Sequence, residues 1–302
     1  MTEVAPAAKA PGDRTSSRQW ASSWRTRRGL LRSLLVYYGV PFKLRRLADL
    51  YRPFVEPGDL CFDVGAHVGD RTRALRRLGA RVVAIEPQPA CLGFLQWMYR
   101  KDKAVTVVAA GVGEAEGEAT LLVSERTPTV SSLSASWVEG VRHAPRFAGV
   151  TWDGRASVRV TTLDALAARF GRPSFCKLDV EGSELAALTG LTQAIPVVTF
   201  EYIPAQRRAA QACLARLESL ARYEYNWTER EVPRLRSAGW LSPEAMASLL
   251  DGWPDDAHSG DIFARLRRSV GSGQWQELTA ARITDHGPPA TDHWKVHARY
   301  LH

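Results

Sequence analysis

No stretch among the 302 residues reaches the ~18 uninterrupted apolar positions that a membrane-spanning helix needs. The longest candidate, Gly29 to Val40, is short and broken by Arg32, so an integral membrane protein is not expected. Cysteine is scarce as well. Cys61, Cys91, Cys176 and Cys213 have neither CxxC spacing nor a histidine partner pattern, which excludes a disulfide scaffold or a zinc ribbon. They read as reduced core residues of a cytoplasmic protein. With 45% hydrophobic and 24% charged residues, the chain is neither disordered nor collagen-like, and its length allows one large domain or two small ones.

A basic excess is missing from most of the chain. The net charge of +8 is carried by residues 1–52, where eleven Lys/Arg face only Glu3, Asp13 and Asp49; the other 250 residues balance at 29 against 29. A nucleic-acid enzyme more often spreads basic charge over its catalytic face, so nucleic acid is a minority expectation.

Residues 1–18 lack apolar periodicity and read as a disordered tail. Residues 19–56 form a basic helical segment: Leu30, Leu31, Leu34, Leu35, Tyr38 and then Leu44, Leu47, Leu50 recur at helical spacing, broken at Gly39-Val40-Pro41. Two solvated helices packed on the domain are expected, with contact to a membrane surface or an anionic substrate as the alternative. From residue 57 to 269, short apolar runs alternate with amphipathic stretches, the pattern of a parallel sheet covered by helices. Strands are expected at Leu60–Val64, Arg81–Ile85, Val105–Ala109, Phe175–Val180, Val197–Phe200, Tyr223–Trp227 and Asp261–Leu266. Helices fit at Arg71–Leu78, Ala90–Tyr99, Gly182–Leu188 and Ala205–Leu220. Within residues 114–160, two extended runs bracket a Ser/Pro/Trp-rich loop, read as an inserted hairpin. Residues 270–302 read as a tail or cap, and no internal repeat is present.

The most informative segment is Asp63-Val64-Gly65-Ala66-His67-Val68-Gly69, a buried strand that runs into a glycine turn and then a helix. Such a turn lies at the carboxyl edge of a parallel sheet, where glycines admit a ligand and the helix offers free N–H groups. Glu86, twenty-one residues after Gly65, closes the next strand and suits a ribose diol. His67 replaces the middle glycine of a pyrophosphate fingerprint, and Asp63 would repel phosphate but attract the cationic amino-acid end of S-adenosylmethionine. The sulfonium cofactor is favoured over NAD.

DVGAHVGDRT, VVAIEP, VTTLDAL, FCKLDVEGSELAALTGL and VVTFEY follow one another over residues 58–203, and in this order they resemble the FkbM-family methyltransferases. The resemblance implies a Rossmann-like class I fold: an α/β sheet of seven mostly parallel strands with the last one antiparallel. S-adenosylmethionine is the implied methyl donor. The family most often has Asn where this chain has His67. Thr72 fits the family's hydroxyl after the turn, and Ser131-Ser132-Leu133 resembles its serine-rich stretch.

On this reading the cofactor contacts are Asp63, Gly65, Ala66, His67, Gly69, Thr72, Glu86, Gly111, Val112 and Asp179, with Gly111 and Val112 at the adenine edge. Transfer to a hydroxyl needs a base, for which Asp179, Glu181, Glu201, His143 and His258 are candidates. The three carboxylates could instead hold Mg²⁺ or Ca²⁺, but no metal is expected. Trp137, Trp152, Trp227, Trp240 and Trp253 line an acceptor pocket or anchor loops. The expected function is O-methylation of a natural product or sugar-containing intermediate. An RNA methyltransferase, an NAD-type dehydrogenase and a non-catalytic nucleotide-binding module are the alternatives.

Overall fold

The computed structural model describes residues 24–267 except 143, 145, 146 and 231. The expected tail, the 270–302 segment and the base candidate His143 lie outside the described residues. Helices α1 (Trp24–Tyr38) and α2 (Lys43–Tyr51) precede β1 (Leu60–Val64), α3 (Asp70–Arg77), β2 (Arg81–Ile85), α4 (Pro89–Tyr99) and β3 (Val105–Val108). Next come β4 (Gly111–Val112), β5 (Gly117–Val123), α5 (Ala135–Val141), β6 (Gly154–Thr161), α6 (Leu163–Phe170), β7 (Phe175–Leu178) and α7 (Glu184–Thr189). The chain continues through β8 (Val197–Tyr202), α8 (Arg207–Leu220), β9 (Tyr223–Trp227), α9 (Pro243–Gly252) and β10 (Gly260–Leu266).

Seven strands form one sheet in the order β3-β2-β1-β7-β8-β10-β9, with β10 antiparallel to both of its neighbours. The order reverses between β1 and β7, so their carboxyl ends flank the switch-point crevice where open α/β sheets bind ligands. Side chains alternate across the sheet. Phe62, Val64, Val83 and Ile85 join α6, α7, α8 and α9 on one face, while Cys61 and Val82 join α2 and α3 on the other. Tyr51 of α2 is fully buried against Phe175, at 5.1 Å between ring centroids. The basic segment therefore supplies part of the core, not merely an outer layer. All four cysteines are free and buried.

The inserted hairpin is present as β5 and β6, paired antiparallel, and β4 extends it into a separate three-stranded sheet. Its connecting loop is not structureless. It carries α5 and a small core of Trp137, Val138, Val141 and Phe147 packed against Trp152. Two further helices escaped the sequence reading, α6 and α9. Each opens on a hydroxyl cap, Thr162 accepting from the Ala165 N–H at 3.0 Å and Ser242 from Ala245 at 3.2 Å. The Thr162-Leu163-Asp164 run is thus a helix start, and Asp164 further accepts the Thr192 N–H at 3.0 Å. The helix expected from Gly182 begins at Glu184, because Glu181 and Gly182 have φ of +48° and +91°, outside right-handed helix.

One charge is sealed inside this frame. Lys177, fully buried in β7, reaches across β8 to Asp261 at 3.0 Å, lies 3.8 Å from Asp179, and donates to the Leu178 carbonyl at 2.8 Å. Removing one partner of a buried pair leaves the other uncompensated. Lys177→Met is expected to lower unfolding free energy by about 3 kcal/mol, and adding Asp261→Asn to recover part of that loss. Chemical denaturation of the two variants checks both outcomes.

Candidate active site

Asp63 alternates with Phe62 and Val64, so it points to the α3 side of the sheet, fully buried. Thr72, on the first turn of α3, donates to its Oδ2 at 2.5 Å. Burial raises the Asp63 carboxyl to about 6 against the opposing pull of Thr72 and Arg71. Its Oδ1 has no hydrogen-bond partner. The turn that follows depends on glycine at two points. A Cβ on Gly65, at φ +77°, would lie 1.9 Å from the Asp179 carbonyl oxygen, and one on Gly69, at φ +80°, 2.8 Å from Leu95. Gly65 and Ala66 both donate to the Ile85 carbonyl, at 2.9 and 3.0 Å.

His67 adopts φ +49°, a conformation that Asn, Asp and His tolerate best among residues with a side chain. Burial lowers its imidazole to about 4, which keeps it neutral at physiological pH, and its Nε2 has no partner. Its backbone N–H donates to Glu86 Oε2 at 2.7 Å, while Gln88 donates to Oε1 at 2.7 Å. Glu86 thus clamps the turn, and each oxygen retains a further acceptor direction for a ribose hydroxyl. Burial, opposed by those two N–H groups, raises Glu86 to about 7.

Across the crevice, Asp179 follows β7, its N–H bonded to the Val64 carbonyl at 2.9 Å and its Oδ2 3.1 Å from Arg71. Arg71, passed over in the sequence reading, ties the two walls together, with Asp70 also within 3.4 Å and its Nε unpartnered. The only cue was its position inside the DRT motif. Glu181 occupies the turn before α7, and Glu201 lies near the end of β8. One carboxylate oxygen from each of Asp179, Glu181 and Glu201 falls within 4.8 Å of the others, so the structure brings these three candidates together. Glu184, by contrast, is structural: it accepts the N–H groups of Val180 and Gly182 at 3.2 and 3.1 Å and fixes the loop carrying Glu181.

The insertion closes on this loop. Ser132 Oγ donates to the Glu181 carbonyl at 2.6 Å, and the Trp137 ring occupies the space a Gly182 Cβ would need. The seam between Trp137, Glu201, Tyr202 and Gln206 holds a cavity of ~40 Å³. The other tryptophans act as anchors. Trp152 donates to Val130 at 2.7 Å, Trp253 stacks on Tyr202 at 4.8 Å and lies 6.0 Å from Trp227, and Trp240 meets Phe54 edge-on at 5.9 Å. Gly111 and Val112, expected at the adenine edge, are buried in β4, with Leu133 2.5 Å from a Gly111 Cβ position. His258 is exposed and bonded to Arg230. Tyr37 and Tyr38 were not anticipated either: the Tyr37 ring meets His67 edge-on at 5.7 Å, and Tyr38 Oη donates to the Val68 carbonyl at 2.7 Å. Their pairing with the turn has no local sequence signal.

Three buried polar atoms without partners, Asp63 Oδ1, His67 Nε2 and Arg71 Nε, surround this turn. Such atoms are costly unless a ligand satisfies them. An anion beside an ammonium, a carboxylate beside a diol and a glycine turn without phosphate-binding character fit S-adenosylmethionine. Because the Asp63 and Glu86 carboxyls are raised in the unliganded protein, they are protonated below pH 6–7, and a cationic ligand must displace that proton. Affinity for S-adenosylmethionine is expected to rise about tenfold between pH 5 and pH 7.5, with proton release on binding near pH 6. Calorimetry in buffers of different ionisation enthalpy reads both. His67→Asn is expected to bind within about threefold of the wild type, whereas His67→Val, forced to positive φ, loses about 1–2 kcal/mol of stability in thermal unfolding.

No curated protein sequence matches the chain. Among solved structures, precorrin-6y C5,15-methyltransferase from Geobacter metallireducens GS-15 aligns with 14% identity over 74% of this chain and 86% of its own, at a TM-score of 0.38. An O-methyltransferase from Bacillus cereus in complex with SAH aligns with 12% identity over 79% and 90%, at 0.37. Cofactor-bound Rv0187 from MTB aligns with 12% identity over 80% and 90%, at 0.41. The methyltransferase FkbM domain model matches residues 63–225, from the buried aspartate of β1 into β9. This chain belongs to the FkbM methyltransferase family.

Proposed function

We propose that the protein is an O-methyltransferase that alkylates a hydroxyl of a small-molecule natural product or a sugar-containing intermediate. The observation supporting this reading is the meeting of Asp179, Glu181 and Glu201 beside the glycine turn, since a hydroxyl nucleophile is activated by a general base at the point of transfer and a carboxylate can serve as one. S-adenosylmethionine supplies an electrophilic methyl when bound. Asp63 holds its ammonium and Glu86 its ribose, while Gly65, Ala66 and Gly69 let the backbone approach; Gly111 and Val112 back the adenine side. Asp179, already paired with Arg71, anchors the crevice. Glu181 would accept the proton of an acceptor hydroxyl held beside the cofactor's methyl group. Glu201 orients the acceptor. Holding the two reactants in line supplies the remaining rate.

Methyl-labelled S-adenosylmethionine incubated with a panel of polyketides and glycosides tests the reading. The expected product carries label in an alkali-stable ether, and label in an amine or in RNA would contradict it. With the acceptor so found, Glu181→Gln is expected to lower kcat by about 10²–10⁴ without changing cofactor affinity, and EDTA to leave the rate unchanged. Loss of activity on chelation, restored by Mg²⁺, would make the three carboxylates metal ligands instead.

A further inference from the structure

Helix α1 leaves part of its apolar surface outside the domain. Its small residues face the domain: Gly29 is seated against the Glu125 carbonyl and Pro128, and Ser33 is 4% exposed. Leu30, Leu34, Tyr37 and Tyr38 are partly buried, but three other apolar residues stay exposed. Leu31 is 57%, Leu35 66% and Val36 41% exposed, and the same surface continues through Val40 at 43% and Phe42 at 69%. Trp97 of α4, 59% exposed, joins this surface through Phe94, whose ring lies 6.3 Å from Tyr38 and 6.0 Å from Trp97. Six of the seven exposed large hydrophobic side chains among the described residues lie on α1, the α1–α2 turn or α4, Leu185 being the exception. Phe42 adds a second anomaly. Its φ of +62° is one a bulky L residue rarely adopts and a glycine takes without strain, yet the ring stands out in solvent.

The rim is cationic. Arg28, Arg32, Arg45, Arg46 and Arg100 are exposed around it, and residues 24–52 hold eight Lys/Arg against the single acid Asp49. Residues 1–23 carry three basic and two acidic side chains, and residues 268–302 four and three. Two copies meeting through this face would set like charges against each other. Nucleic acid would satisfy the arginines but not Leu31, Leu35 and Val36. An anionic bilayer surface takes both, with the headgroups meeting the arginines and the acyl boundary taking the aliphatic and aromatic side chains.

We propose that the outer face of α1, the α1–α2 turn at Phe42 and Trp97 together form a docking surface for an anionic lipid bilayer. The test is co-sedimentation of the full chain with vesicles of phosphatidylcholine alone or of equimolar phosphatidylcholine and phosphatidylglycerol. Binding is expected to the anionic vesicles only and to fall as salt rises. Phe42→Gly relieves the backbone strain while removing the ring, so it is expected to keep or raise the melting temperature and to weaken binding about tenfold; Leu35→Ser should act alike. Arg45→Gln with Arg46→Gln is expected to weaken it about thirtyfold. Absence of binding to anionic vesicles, equal binding to both kinds, or affinity unchanged by Phe42→Gly and Leu35→Ser would overturn the proposal. So would a dimer in sedimentation equilibrium that Phe42→Gly dissociates, because the face would then belong to a second copy.

Discussion

The contact between the ends of β1 and β7 is the constraint on which the rest of the site depends. The Gly65 backbone lies so close to the Asp179 carbonyl that no side chain fits between them, and this closeness makes one crevice of two strand ends. On its β1 side stand the buried Asp63 and, through the turn, Glu86. On its β7 side stands the acidic loop. Arg71 bridges the two by charge, and Lys177 holds the β7 side to β10 from beneath. Like-signed carboxylates repel when brought together. Arg71 and Lys177 offset part of this repulsion, since both lie against Asp179.

The sheet was legible because buried parallel strands leave uninterrupted apolar runs, and those runs fell within two residues of the observed strands. Most helices were found from their apolar spacing, whereas α6 and α9 were missed although Leu163, Leu166 and Phe170, and Met246, Leu249 and Leu250, recur at helical spacing in them. Thr162 read as part of a motif when it was a helix start. The turn residues Asp63, Gly65 and Glu86 could be named because glycine and carboxylate chemistry is local. What Glu86 does in the folded chain was less legible. Its grip on the His67 and Gln88 N–H groups arises from how β1 and β2 lie side by side. The roles of Ser132, Trp137, Tyr37 and Tyr38 depend on tertiary packing across more than twenty residues, and no spacing rule encodes them.

Helix α1 connects the two halves of this account. Its inner face touches the cofactor turn through Tyr37 and Tyr38, and its outer face carries the apolar and basic side chains. A single helix thickness therefore separates the proposed lipid surface from His67. Of the residues expected in two solvated helices packed on the domain, Tyr51 is in the core, whereas Leu31 and Leu35 of the apolar repeat are exposed.

The claim at the centre is that Asp63 reads the amino-acid end of the cofactor. It is tested most directly by titrating S-adenosylhomocysteine and 5′-methylthioadenosine, which lacks that end, into the wild type and Asp63→Asn. The account predicts that the substitution weakens S-adenosylhomocysteine sharply and leaves methylthioadenosine unchanged. Equal loss for both ligands, or no loss for either, would place the amino-acid end elsewhere and contradict it.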